Sequence, residues 1–339
     1  MQLYYKTYQL PFQYPFTISQ GRTKTHQPSL VVALQVGKWI GYGESPAINY
    51  YHITVDEMVA TLEQYRTMIE KYAFTEPERF WHYLHHLLPN NNFLINALDM
   101  AGWDLYGKMQ QKPLYELWET PFTGSEPITD YTLGIDTPEK MLEKMQAHPH
   151  PVYKIKIDSK DPLTTLSYLR EHTDKPFRLD ANEGFTYQQF VEILPALAAL
   201  NIEFIEQPLA KNNWEEMKKL YTESPIPLIA DESCVVEKDV EKCAGHFHGI
   251  NIKLTKCSGI TPAIRMIKQA RELGLKVMMG SMNESTAGSA AIGNFLPQLD
   301  YVDMDGPLLL SEDIAKGLTY DNGKISLSGK FGLGIQMTS

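Results

Sequence analysis

The chain has 339 residues, 43% hydrophobic and 21% charged, which is long enough to bury a sizeable core and too well mixed for a disordered chain. Its formal net charge of -10 argues against general electrostatic binding to nucleic acid or to an anionic membrane, both of which require a basic surface. Cys234, Cys243 and Cys257 show no paired spacing, the start lacks a signal-like pattern, and no run of about 18 apolar residues occurs, so a cytoplasmic chain without disulfides or membrane spans is expected.

Residues 1–125 read as an α+β unit. An apolar segment at Ser29–Val36 meets a turn near Gly37 and a short strand at Trp39–Gly43, and helical spacing runs over Thr54–Tyr72 and Asn92–Met109. Turn residues at Gly124-Ser125-Glu126-Pro127 mark the expected boundary. Residues 126–315 then alternate short apolar runs with amphipathic stretches. The runs are Thr129–Ile135, Val152–Ile157, Pro176–Asp180, Ile202–Glu206, Ile226–Asp231, Gly249–Leu254, Lys276–Gly280 and Tyr301–Asp305. Near-continuous apolar strands alternating with helices indicate parallel pairing, and eight such units indicate a closed barrel. The fold class is therefore α/β, a TIM-type (β/α)-barrel. Residues 316–339, with glycines at 329, 332 and 334, are expected to leave the barrel and return to the first domain.

Catalysis on this fold sits at the carboxyl ends of the strands, and here those ends are charged. Asp180, Glu206 and Asp231 close three consecutive strands about one βα unit apart and are expected at equal heights. Three hard oxygen ligands suit Mg²⁺ and nothing here suits zinc. Asp180 and Asp231 also have the form of ordinary helix caps, which Glu206 does not. Asn182 and Glu232 stand beside them, either supporting the metal ligands or serving as loop residues. Lys154 and Lys156 share one face of their strand. That face is solvated in many sheets, but in a parallel barrel it points into the polar mouth. Lys253 lies four units round, on the opposite side, and Lys256 is expected at the surface or in a loop. His246-Phe247-His248 with Cys243 matches no zinc spacing and reads as surface.

Lysines two apart on strand two, an Asp/Glu/Asp set on the next three strands and a lysine on strand six resemble the muconate-lactonizing subgroup of the enolase superfamily, over nearly the whole chain. Asp303-Met304-Asp305 on strand eight is similar to the Asp-x-Asp element of its dipeptide epimerases. The resemblance implies that residues 1–125 are a capping domain, completed by the C-terminal segment, whose loops near Phe16–Lys24 and Ile48–His52 close over substrate. It implies one Mg²⁺ per subunit on Asp180, Glu206 and Asp231, with Lys156 and Lys253 as two bases that move the α-proton of a dipeptide's C-terminal residue. Lys154, Thr132, Arg22, Ser281 and Met282 would contact substrate, and Asp303 and Asp305 would hold its free ammonium. Ala-Glu from peptidoglycan turnover, D-Ala-D-Ala and other small or apolar Ala-Xaa dipeptides are the substrates it suggests, and a homo-oligomer is expected. Asn283-Glu284 departs from the commoner apolar-Glu pairing, and Tyr50-Tyr51 offers aromatic lining. Competing readings are N-acylamino acid racemisation, o-succinylbenzoate synthesis or muconate cycloisomerisation on the same scaffold, a Schiff-base aldolase using Lys253, and a binding protein that has lost turnover.

Overall fold

Long extended segments at the start of the chain pair as an antiparallel sheet. The computed structural model describes residues 1–18 and 22–338, without side chains for 16–18 and 22. Strands β1 (Gln2–Ile18), β2 (Arg22–Val36) and β3 (Trp39–Pro46) lie in that order, and Gly37 turns β2 into β3 with φ of 57°. The seventeen-residue β1 goes beyond the sequence reading, because its apolar residues do not keep a strict period of two. Helix α1 (Val55–Lys71) begins at a capping box of Thr54 and Glu57, α2 (Pro77–Leu87) follows, and α3 (Asn92–Gln110) is largely buried. Glycines let α3 approach β3. A Cβ on Gly41 or Gly43 would strike the carbonyl oxygens of Ala101 or Ala97.

The second unit is a parallel eight-stranded sheet: β4 (Tyr131–Leu133), β5 (Tyr153–Lys156), β6 (Phe177–Asp180), β7 (Ile202–Glu206), β8 (Leu228–Ala230), β9 (Gly249–Ile252), β10 (Lys276–Gly280) and β11 (Tyr301–Asp303). A parallel bridge between Thr129 and Val302 closes it. Phe204, Ile229 and Met278, with Tyr301 against them, fill the inside of the barrel, and Arg178 lies over the Phe204 and Tyr301 rings. Strands β7 and β10 keep their expected bounds, while the other six are shorter by one to four residues, so Asp231, Lys253 and Asp305 stand just past strand ends.

The two units are joined by buried carboxylates. Glu44 on β3 accepts from Ser29, from the Ser285 amide and hydroxyl, and from the Gly288 amide at the start of the helix Thr286–Gly293. The C-terminal strands pair among themselves, β12 (Ala315–Lys316) with β15 (Gln336–Met337) and β13 (Leu318–Asp321) with β14 (Lys324–Leu327). Between them the Leu333 amide donates to Asp104 on α3 at 2.9 Å.

Asp99 on α3 caps the helix Ile260–Glu272, accepting from the Thr261 amide at 2.9 Å and its hydroxyl at 2.7 Å, because the N-cap of that helix is Gly259 and has no side chain to do so. Asp99→Ala removes the cap and strands buried donors, so a loss of about 3 kcal/mol is expected in urea denaturation. An unchanged midpoint would show that water serves the helix end as well.

Candidate active site

The polar strand ends converge as their spacing suggests. Parallel pairing sets Lys156 beside Asp180 and Asp180 beside Glu206, but the partner of Glu206 is Ile229. Asp231 therefore lies two residues further along, not at equal height, which is the stagger a tilted barrel imposes. All three carboxylates are buried. The Lys154 ammonium lies 3.1 Å from Asp180 Oδ2, 2.7 Å from Glu206 Oε2 and 2.6 Å from Asp303 Oδ2. Lys156 Nζ meets Asp180 Oδ2 at 2.5 Å and Asn182 Oδ1 at 3.2 Å. Across the cavity, Lys253 Nζ lies 2.8 Å from Asp231 Oδ2. Both lysines of β5 thus face inward, as a closed parallel barrel requires.

Electrostatics bind these groups into one unit. Burial alone would lower the pKa of Lys154, but Asp180, Asp303 and Glu206 outweigh it and raise it well above the ordinary lysine value. Lys253 is likewise raised, by Asp231 and Glu206 against its burial. Burial would raise Asp231, yet Lys253 and Lys256 hold it below the carboxylate range, while Asp180 is brought to about 2 against burial by Lys154 and Lys156. Glu206 is pushed up to about 7 by burial and Asp180, and Glu232 to about 8 by burial and Asp231. Paired with carboxylates alone, Lys253 is a poor base. A divalent cation on the same carboxylates reverses the sign of that influence.

The residues fit such a cation. The donors are all oxygens from consecutive strands, the set that Mg²⁺ prefers, and among the described residues buried Glu206 Oε2 meets only the Lys154 ammonium, at 2.7 Å. A second acidic group is tighter: carboxylate oxygens of Asp130, Asp303 and Asp305 lie within 4.8 Å of one another. Asp130 is paired with Arg178 at 2.9 Å, whereas Asp303 and Asp305 line the cavity. Asp305 Oδ2 also accepts from the Thr132 amide at 2.6 Å. An acid pair with one aspartate at about 7 through burial and its neighbour Asp303 suits an ammonium guest.

The capping unit supplies the roof. Lys24, Gln27, Ile48, Asn49, Tyr50 and Tyr51 line the cavity opposite the barrel residues, and Thr132, Ser281, Met282 and Asn283 line its side. Tyr50 donates to Glu183 Oε1 at 2.5 Å and receives Lys211 Nζ at 3.0 Å, tying the roof to the loops after β6 and β7. Glu284 turns back onto the Met282 amide at 2.5 Å and so braces the loop.

Arg22 was expected at the substrate, and its side chain lies outside the described residues, as do residues 19–21. Lys256 corrects the sequence reading. It is 1% exposed, its ammonium 2.5 Å from Asp231 Oδ1 and 2.6 Å from the Asp231 carbonyl. The reading failed because one helical turn beyond Lys253 brings the side chain under the strand ends, which no local pattern reveals. Nor is the histidine segment simply surface: Cys243 and Phe247 are buried, and His248 Nδ1 accepts from the Leu228 amide at 3.0 Å. Asn251 joins the site without having been singled out in the sequence, its Nδ2 donating to Glu206 Oε1 at 2.6 Å.

Residues 137–339 match a family model described as enolase C-terminal domain-like. The chain is similar to the L-Ala-D/L-amino acid epimerase of Flavobacterium johnsoniae, 46% identical over 99% of this chain and 100% of that one. The substrate-liganded L-Ala-D/L-Glu epimerase of Bacillus subtilis superposes with a TM-score of 0.91 at 28% identity, covering 99% of this chain and 98% of that one. A dipeptide epimerase from Cytophaga hutchinsonii, complexed with Mg and D-Ala-L-Val, gives 0.91 at 26% identity, covering 99% and 95%. Among the described residues, no helix is long and apolar enough to cross a membrane.

Proposed function

This chain belongs to the enolase C-terminal domain-like family, and on that premise we propose that it is a Mg²⁺-dependent dipeptide epimerase acting on the α-carbon of the C-terminal residue of Ala-Xaa dipeptides. The observation that carries the reading is a cavity with lysines on opposite sides, Lys156 and Lys253, a buried carboxylate set between them and an aspartate pair at one end. Asp180, Glu206 and Asp231 would hold the metal, which when bound supplies a Lewis acid for the substrate carboxylate. Lys154 would donate to that carboxylate as charge grows on it. Lys156 and Lys253 would each take the α-proton from one epimer and return it to the other.

Asp303 and Asp305 would hold the substrate ammonium, so the span between that pair and the metal carboxylates measures one dipeptide. Thr132, Ser281 and Met282 would line the peptide, and Arg22 would meet the Xaa side chain. Ala-Glu and apolar Ala-Xaa peptides, of the kind released in peptidoglycan turnover, are the proposed substrates. A cytoplasmic homo-oligomer is part of the same proposal.

Incubation with Mg²⁺ and a dipeptide library in D₂O tests it. Free dipeptides are expected to gain one deuterium at the C-terminal α-carbon and to change epimer ratio, whereas N-acetylated dipeptides are expected to react at least about tenfold more slowly for want of the charged hydrogen bonds. Exchange into N-acylamino acids with none into dipeptides would sink the assignment.

A further inference from the structure

We propose that Lys256 is a positioning residue that fixes the Asp231 carboxylate with a single oxygen toward the cavity. The proposal rests on the reading of Asp231 as a metal ligand. The two oxygens of Asp231 are divided between two lysines: Oδ2 faces Lys253 at 2.8 Å, and Oδ1 is held by Lys256 at 2.5 Å. Lys253 lines the cavity and Lys256 does not. The Lys256 ammonium is also within reach of the carbonyls of Asp231 (2.6 Å), Cys234 (3.0 Å) and Asn251 (3.3 Å), so all its protons have oxygen partners.

A buried ammonium is costly unless it is paired and hydrogen-bonded, and this one is spent wholly on the end of β8 and its neighbours. Its contacts prevent Asp231 from turning both oxygens into the cavity. One oxygen is what an octahedral cation shared among three carboxylates and a substrate can use. Lys256 also grips the backbone of Asn251, whose side chain donates to Glu206 Oε1 at 2.6 Å. One ammonium thus steadies two of the three proposed ligands. Without it, Asp231 is free to swing and to grip Lys253 with both oxygens.

The test compares wild type, Asp231→Asn, Lys256→Gln, Lys256→Met and Lys256→Arg by calorimetric titration with Mg²⁺, with circular dichroism melts to establish folding. For the neutral Lys256 variants the Mg²⁺ Kd is expected to rise by about 10- to 100-fold, the usual cost of losing an outer partner of a ligand, with partial recovery in Lys256→Arg. In the same proteins, α-deuterium exchange of the epimer served by Lys253 is expected to fall more than that of the epimer served by Lys156. A wild-type Kd in folded Lys256→Gln and Lys256→Met overturns the proposal. So does failure of both to fold at saturating Mg²⁺, which would make Lys256 a stabilising residue only. If Asp231→Asn binds Mg²⁺ as wild type does, Asp231 is not a ligand, and the underlying reading has failed instead.

Discussion

Lys253→Ala is expected to lose epimerisation by about three to four orders of magnitude in both directions, the upper range for a positioned general acid–base group. The two directions fall together because each full turnover needs one lysine to remove the proton and the other to return it. The residual chemistry is expected to be one-sided. The epimer whose α-proton faces Lys156 still exchanges it with D₂O, since Lys156 can take and return a proton on its own face. The other epimer is inert. Lys156→Ala should show the mirror-image pattern, which proton NMR of purified epimers reads directly. Lys253 is well placed for such a role, since it stands just past β9 while Lys156 ends β5, with β6, β7 and β8 between them in the sheet. Full epimerisation by Lys253→Ala would remove the two-base scheme and leave a single-base or water-mediated route.

Glu206→Gln is expected to lower kcat/KM by about a thousandfold or more, in line with the several kcal/mol that a Lewis acid contributes. EDTA should do the same to the wild type, reversibly on adding Mg²⁺. Glu206 is chosen because its neighbours make the change specific. Asn251 can still bond an amide oxygen at that position, and Lys154 keeps Asp180 and Asp303 as partners, so the fold has little to lose. Asp130→Asn is the informative companion, since the carboxylate oxygens of Asp130, Asp303 and Asp305 lie within 4.8 Å of one another. Mg²⁺ affinity is expected to survive in Asp130→Asn and to collapse in Glu206→Gln. The reverse pattern would move the metal to the strand-eight aspartates and leave the substrate ammonium without its proposed partner.

Much of this was readable from residues in a line. Helices α1 and α3 of the first unit appear within a residue of the expected bounds, because Thr54 and Glu57 form a real capping box and the apolar spacing of α3 is strong. The eight strands were visible because parallel strands buried on both faces carry little polarity until their carboxyl ends. The same property makes Lys154, Asp180 and Glu206 conspicuous. β1 and α2 were less legible. In β1 the aromatic and apolar residues keep no strict period, and in α2 a proline start and three histidines obscure the apolar stripe.

Chain order and the period of two are local properties, and they suffice to say which side chains point into a barrel and which strand each one ends. Relations between strands are not local. The stagger that carries Asp231 past the level of Glu206 depends on barrel tilt, the Tyr50–Glu183–Lys211 tie on how the roof meets two barrel loops, and the burial of Lys256 on what lies beneath a turn of helix. Each joins segments separated by tens of residues, so its energy exists only once the core has brought them together. For that reason the kinds of groups in the cavity follow from the sequence, while the division of Asp231 between two lysines follows from the fold.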